Sequence, residues 1–222
     1  MVQETLSGCN ASATAKDTRH QPAAQRQVKR SASSKVNLLV IRHAIAENLE
    51  VGQEANQDDS LRSLTLKGRK RMERGARGLK VLLPQIASLA TSPFTRAVQT
   101  AEIVAATYGD VVPLQLDSLA AGGDRRAVLS WIQMQRDDAT VAIVGHEPDL
   151  SLIVSWLLSS PDRSFVRLKK GGACLLTWRS HVTAGDADLV WLLTSGQLRR
   201  IAKKRGKQGG SGLPLAGDDG DG

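Results

Sequence analysis

Three short apolar runs in this 222-residue chain each end in a group that can do chemistry. Val36–Ile41 leads directly into Arg42 and His43. Ile86–Thr91 leads into Ser92, Pro93, Phe94, Thr95 and Arg96. Thr140–Val144 leads into Gly145 and His146. Each run has the length and apolar content of a buried strand. In open α/β sheets functional groups collect in the crevice at the carboxyl ends of the strands. If these strands are parallel neighbours, two arginines and two histidines converge there, in a cationic pocket rich in donors. A transferring phosphoryl group spreads charge over its equatorial oxygens, so its catalysis is mostly positioning and electrostatics. Arg42 and Arg96 offer planar donor forks that stay charged and match phosphate geometry. A neutral imidazole can attack phosphorus and hold it covalently, the task expected of His43. His146 is placed to donate to an equatorial oxygen. Amides at the starts of the helices from Pro93 or Asp149 add a weaker contribution. Because the nucleophile must be neutral, activity is expected to fall as His43 gains a proton on the acid side.

The elements that must hold these groups alternate. After the first strand comes a polar loop, Glu47–Leu61. Thr65 is placed to cap a helix over Leu66–Leu83, with Met72, Ala76, Leu79, Leu82 and Leu83 on its apolar face and Pro84 ending it. Ser92 followed by Pro93 reads as a cap and first helical residue, opening a helix through Tyr108. Val111–Leu116 reads as a strand, Gly122-Gly123-Asp124 as a capped loop, and Arg125–Gln135 and Asp149–Leu158 as helices. Two late runs, Ala173–Trp178 and Leu189–Leu193, read as strands without a helix between them. Alternating strands and helices imply a mostly parallel sheet covered on both faces, with an antiparallel addition at one edge.

Composition bounds the rest. The apolar fraction of 41% is enough for a core, and aromatics at 3% leave it to Leu, Val, Ile and Ala. No apolar stretch reaches the roughly 18 residues of a membrane span. Cys9 and Cys174, the two cysteines, form neither a disulfide framework nor a metal-ligand spacing. With no apolar signal core at the start, a reducing cytoplasm is the simplest compartment. The net charge of +8 is unevenly spread: residues 1–35 hold six Lys/Arg and two acids, residues 199–222 six and three, and residues 36–198 eighteen and seventeen. On this count the charge belongs to the terminal segments, and a nucleic-acid groove is not expected. Three regimes follow: a disordered basic tail over 1–35, a domain over 36–201, and a disordered Gly/Lys/Asp tail over 202–222.

Four strings in order resemble the histidine phosphatase superfamily: Ile41-Arg42-His43-Ala44, Leu64-Thr65-Leu66-Lys67-Gly68, the run Ser92-Pro93-Phe94-Thr95-Arg96-Ala97-Val98-Gln99-Thr100, and Val144-Gly145-His146-Glu147-Pro148. The third is the most specific. The short SixA-type branch, the phosphohistidine phosphatases, is most similar. The resemblance implies a phosphoglycerate mutase-like fold, a three-layer α/β/α sandwich with a mostly parallel mixed sheet. It makes His43 the phospho-accepting nucleophile, Arg42 and Arg96 phosphate ligands, and His146 the residue that completes the pocket. Arg62 matches an arginine that often precedes L-T in the short branch, for substrate contact or for structure. No metal or organic cofactor is implied. The family's usual glycine after the R-H pair is Ala44 here. The acidic proton donor of larger relatives has no clear equivalent, with Asp117 and Asp124 as candidates.

A missing acid favours a good leaving group. The imidazole of a phosphohistidine can leave neutral when its ring already carries a proton, so it needs less help than an alkoxide. The expected function is removal of phosphate from a phosphohistidine-bearing protein, a histidine kinase or phosphotransfer domain, by a monomer. The alternatives are a phosphatase for a small phosphate ester or phosphoramidate, and a non-catalytic phosphate- or RNA-binding module. His20 and His181 read as surface residues, Lys169-Lys170 as an exposed turn that could border the pocket, Cys174 as a buried small hydrophobe, and the four tryptophans as packing residues.

Overall fold

The first strand, β1 (Val36–Arg42), is buried on both faces, with Leu38, Leu39, Val40 and Ile41 fully inaccessible. A strand covered by helices on both sides has no polar face, so it reads as an unbroken apolar run. It belongs to a computed structural model that describes residues 35–48, 58–109, 111–160 and 162–208. The chain continues through a 3-10 turn (Asp59–Leu61), α1 (Leu66–Leu82), β2 (Ser88–Thr91), α2 (Thr95–Tyr108), β3 (Pro113–Gln115) and a second 3-10 turn (Asp117–Leu119). It ends with α3 (Arg125–Gln133), β4 (Thr140–Gly145), α4 (Asp149–Ser159), β5 (Ala173–Trp178), β6 (Asp188–Leu193) and α5 (Ser195–Gln208).

The six strands lie in the order β3-β2-β4-β1-β5-β6. β4 pairs in parallel with both β1 and β2, and β2 with β3, while β5 and β6 add antiparallel at the other edge. Alternate residues of each central strand face opposite layers. Leu39, Ile41, Ala142 and Val144 pack with Met72, Ala76 and Leu79 of α1, Ala97, Ala101 and Val104 of α2, and Leu198 of α5. Leu38, Val40, Val141 and Ile143 pack with Val128 and Ile132 of α3 and Leu150, Val154 and Leu157 of α4. The architecture is therefore the expected three-layer α/β/α sandwich with a mixed sheet.

Register delivers the chemistry to one edge. Arg42 lies opposite Gly145, and Thr91 lies opposite Val144. His43 N donates to the Gly145 carbonyl at 3.0 Å and Ser92 N to the Val144 carbonyl at 2.9 Å. The residues that follow the three strands therefore emerge side by side.

Thr65 caps α1 as expected, its hydroxyl accepting from Gly68 N at 2.8 Å, and Asp124 caps α3 through Arg126 N, also at 2.8 Å. Two expectations are corrected. Helix α2 begins at Thr95, with Phe94 rather than Ser92 at the cap position. The Ser92 hydroxyl has a better partner across the sheet edge, as shown below. No helix was expected after β6, yet α5 starts at Ser195 and passes the boundary drawn at 201. Thr194 and Gln197 begin it with a reciprocal cap, the Gln197 amide oxygen accepting from Thr194 N at 2.8 Å and Thr194 Oγ1 accepting from Gln197 N at 3.3 Å. The absence of an acidic residue and the density of Lys and Arg in this segment concealed a helix that needs only Leu198 to anchor it. Of the tails expected over 1–35 and 202–222, residues 1–34 and 209–222 lie outside the described residues, and 202–208 belong to α5 rather than to a disordered tail. Among the described residues no helix is long and apolar enough to cross a membrane.

Candidate active site

His43 sits just past β1 and is 6% exposed. Its Nδ1 lies 2.7 Å from the Ala44 carbonyl oxygen. A carbonyl only accepts, so Nδ1 carries the ring proton and Nε2 keeps its lone pair. Burial pushes the His43 pKa down to about 3. The bond to Ala44 opposes the shift, while His146, Arg96 and Arg42 reinforce it. The ring is therefore neutral at physiological pH, as a nucleophile must be.

His146 follows β4, with its ring centroid 5.1 Å from that of His43. Its Nε2 lies 2.8 Å from Ser92 Oγ. Ser92 Oγ also accepts from Phe94 N at 3.3 Å. The serine hydroxyl keeps its own proton to donate to Nε2, and in that tautomer the neutral ring carries its single N–H on Nδ1. Nδ1 is buried and has no partner among the described residues. Burial lowers the His146 pKa to about 4; Arg96 adds to the shift and Asp59 opposes it.

The arginines are held by their outer nitrogens. Arg42 Nη1 donates to the Leu168 carbonyl at 2.8 Å, and Arg96 Nη2 meets Asp59 Oδ2 at 2.7 Å. Burial lowers the pKa of both, offset by Glu147 for Arg42 and by Asp59 for Arg96. The Nε atoms of both arginines are buried without a partner among the described residues. Three orphaned donors, two Nε–H groups and His146 Nδ1–H, thus lie in one small region with a free imidazole lone pair. Buried polar groups are rarely left unpaired, and a tetrahedral oxyanion would satisfy such a set.

Around this core the motif residues divide the labour. Thr100 Oγ1 accepts from Ala44 N at 3.1 Å and donates to the Arg96 carbonyl at 2.7 Å, tying α2 to the segment after His43. Gln99 Oε1 accepts from Leu64 N at 2.8 Å. Gly68 is required by contact: a Cβ there would lie 2.1 Å from the Ile45 carbonyl oxygen. Gly171 N donates to the carbonyls of both Arg42 and His43, so the Lys169-Lys170 turn borders the catalytic pair from behind. Glu147 Oε1 accepts from Leu168 N at 3.0 Å, holding the loop whose carbonyl receives Arg42. Sequence reasoning missed the tasks of Ser92, Thr100 and Glu147, although all three stand in the strings it singled out.

The carboxylate that pairs with Arg96 is Asp59, which was not among the candidates. It receives Arg96 on one oxygen and Arg62 on the other, with Arg62 Nε donating at 2.7 Å. Partial burial alone would raise its pKa, but Arg96 and Arg62 outweigh that and hold it below the usual range. Arg62 therefore reaches the pocket through Asp59. The available signal was the spacing Asp59-x-x-Arg62, three apart on one turn. Asp117 opens a 3-10 turn and Asp124 caps α3; both are exposed. No cluster that could hold a metal ion occurs among the described residues.

The model of the histidine phosphatase superfamily, branch 1, matches residues 38–121. An uncharacterised protein of Picosynechococcus sp. is 32% identical over 163 residues, spanning 72% of this chain and 96% of its own length. This chain belongs to the histidine phosphatase superfamily. Solved structures share its fold. The protein histidine phosphatase SixA complexed with tungstate is 24% identical, covers 73% of this chain and 99% of its own, and gives a TM-score of 0.63. A phosphoglycerate mutase from Bacillus anthracis is 15% identical, covers 78% and 98%, and gives 0.54. At such identities the likeness establishes the phosphoglycerate mutase-like histidine phosphatase fold. The matched family segment contains β1 from Leu38 onward, the Asp59 turn, β2 and Arg96, so three of the strings that line the pocket lie within it.

Proposed function

We propose that this protein is a phosphatase that works through a phosphohistidine intermediate on His43 and acts on protein phosphohistidine. The observation that carries this reading is the Nδ1 contact of His43 with the Ala44 carbonyl. It presents an unprotonated Nε2 to a pocket of unpaired donors.

In the first step the Nε2 lone pair attacks phosphorus. The new N–P bond forms as the bond from phosphorus to the substrate's ring nitrogen breaks, and the electron pair leaves with that ring. Arg42, Arg96 and the Nδ1–H of His146 hold the equatorial oxygens. His43 Nδ1–H stays on the Ala44 carbonyl and stabilises the positive charge that develops on the ring. In the second step water attacks phosphorus, the His43–phosphorus bond breaks and inorganic phosphate leaves.

The acid–base inventory supports phosphohistidine over an alkyl ester. An alkoxide must be protonated as it leaves, whereas an imidazole that already carries a proton leaves neutral. Asp59 is held ionised between two arginines, and Glu147 Oε1 is engaged as an acceptor by Ser151 Oγ at 2.6 Å and Leu168 N at 3.0 Å. A depression of about 460 Å³ beside Arg42, lined by Glu147, Ser164, Val166 and Arg167, leaves room for a leaving group attached to a protein surface.

The test compares wild type with His43→Ala on a labelled phosphohistidine protein and a panel of phosphate esters. Acid-labile label trapped on wild type alone, with faster turnover of the phosphohistidine protein, is the expected result. Equal turnover by both proteins refutes the nucleophile. Faster turnover of an alkyl ester refutes the substrate class.

A further inference from the structure

The fold redistributes the charge of the chain. Helix α1 carries seven Lys/Arg and a single acid, Glu73, and α5 carries six Lys/Arg and no acid. These two helices therefore hold a formal +12, against +8 for the whole chain. Read along the sequence, the C-terminal basic residues belong to a tail. In the fold they stand on α5, which packs against the most basic helix of the domain. The contact is intimate, since a Cβ on Gly78 would lie 2.1 Å from the Leu198 carbonyl oxygen. Glycine lets the two backbones touch and leaves the long side chains standing on either side.

A groove of about 520 Å³ runs along this contact, lined by Arg74, Arg77, Arg199, Arg200 and Lys203. A cavity of about 190 Å³ shares Arg199 and extends past Arg71 to Lys169 and Lys170. Arg74, Arg77, Arg200 and Lys203 are exposed. Among the described residues, the arginines that pair with carboxylates are Arg62, Arg96, Arg125 and Arg179, none of which lines the groove. Arg199 donates to Ser195 Oγ at 2.7 Å, and burial together with Arg71, Arg74 and Arg200 lowers its pKa. Like charges crowded without counter-charges cost stability, and a polyanion relieves that cost.

The lining selects among polyanions. Among the described residues it contains no aromatic and no large apolar side chain. A protein partner needs a desolvated apolar or aromatic centre, and single-stranded nucleic acid needs aromatic platforms for its bases. A duplex backbone needs neither, and its interfaces are more polar and more positive than those between proteins. On α1, Arg71, Arg74 and Arg77 recur every three residues on one side, about 4.5 Å apart along the axis. We propose that the face formed by α1 and α5 is a docking surface for the sugar-phosphate backbone of duplex nucleic acid, bound without regard to base sequence. This proposal is independent of the chemistry at His43.

The test uses the full chain and a fluorescent duplex of about twenty base pairs, with affinity read by anisotropy over a salt series. The comparison is with the triple variant Arg74→Gln, Arg77→Gln, Arg200→Gln, none of which belongs to the phosphatase pocket. Wild type is expected to bind with a logarithm of affinity that falls linearly with the logarithm of salt. The triple variant should show a slope shallower by about 2.7 and, near 0.1 M salt, about 500-fold weaker binding. Its phosphatase rate should match wild type, and its melting temperature should equal or exceed that of wild type, since like charges have been removed. If the triple variant fails to fold, Arg74→Gln alone should lower the slope by about 0.9. Unchanged slope and affinity in a folded variant would place any binding on other segments and overturn the proposal. So would no duplex binding at low salt, or displacement of the duplex by poly-glutamate at a lower charge concentration than by unlabelled duplex.

Discussion

Replacing Ser92 with alanine isolates the choice of tautomer at His146. The Ser92 hydroxyl lies 2.8 Å from His146 Nε2, and both side chains are buried. Without it, Nε2 is left buried and unpaired, at a cost of about 1–3 kcal/mol. The ring can escape part of that cost by moving its proton to Nε2 and turning Nδ1 into an acceptor. Nδ1 then faces the phosphoryl oxygens with a lone pair instead of a proton. Complete loss of one donor to a developing oxyanion costs about 100- to 1000-fold in kcat. Because the donating tautomer remains accessible, the expected loss for Ser92→Ala is about 10- to 100-fold in kcat, or about 1.4–2.8 kcal/mol. KM should change little, since the donor acts chiefly on the transition state. The assay is the single-turnover rate of phosphoenzyme formation, paired with nitrogen NMR of the labelled imidazole to report which ring nitrogen is protonated. A rate within twofold of wild type refutes the reasoning, as does a slower rate with the Nδ1–H tautomer intact.

Three further outcomes are expected. Burial lowers His43 to about 3 and His146 to about 4, against an ordinary value of 6.5. The unfolded chain thus binds protons that the folded chain refuses, and stability is complete above 6.5 and lost as pH falls toward those values. The slope is about 1.4 kcal/mol per pH unit for each histidine. Urea unfolding across this window should show a steeper loss for wild type than for the His43→Asn, His146→Asn double variant; parallel curves would contradict the burial argument. Asp59→Asn frees Arg96 from a half-exposed carboxylate, a pair worth about 1 kcal/mol at most. Inorganic phosphate should then inhibit about fivefold more strongly, and weaker inhibition would show that Asp59 orients Arg96 rather than competing for it. Gly68→Ala drives a Cβ into the Ile45 carbonyl, so a loss of about 1–3 kcal/mol is expected in thermal or urea unfolding, and wild-type stability would mean that α1 can shift.

The pocket was legible because its four principal groups each follow a short apolar run. A parallel sheet turns that one-dimensional pattern into a shared edge. Arg42, His43, Arg96 and His146 are brought together as expected. Three supporting residues were harder to read, for different reasons. Ser92 before Pro93 carries a strong local cap signal, and only a partner 54 positions away redirects its hydroxyl. Asp59 lies in a polar loop whose pairing with Arg96 spans 37 positions, which no local pattern encodes. The acid-side fall expected for a histidine shifts downward because burial, which sequence does not report, dominates the His43 pKa.

Local chemistry alone determined the strand runs, the caps at Thr65 and Asp124, the layered class of the fold and the choice of Arg42, His43, Arg96 and His146 as candidate site residues. Each of these depends on residues within a few positions of one another. Only the tertiary structure decided which nitrogen of each histidine is free, which carboxylate holds Arg96, and where the positive charge lies. Those depend on distances between segments far apart in the chain. Charge makes the difference plainest. Summed along the sequence, the core domain is almost neutral. Once Gly78 lets α5 close on α1, the basic residues of that domain's first helix and those read as a tail form one strongly positive face, because electrostatic potential adds through space and not along the chain.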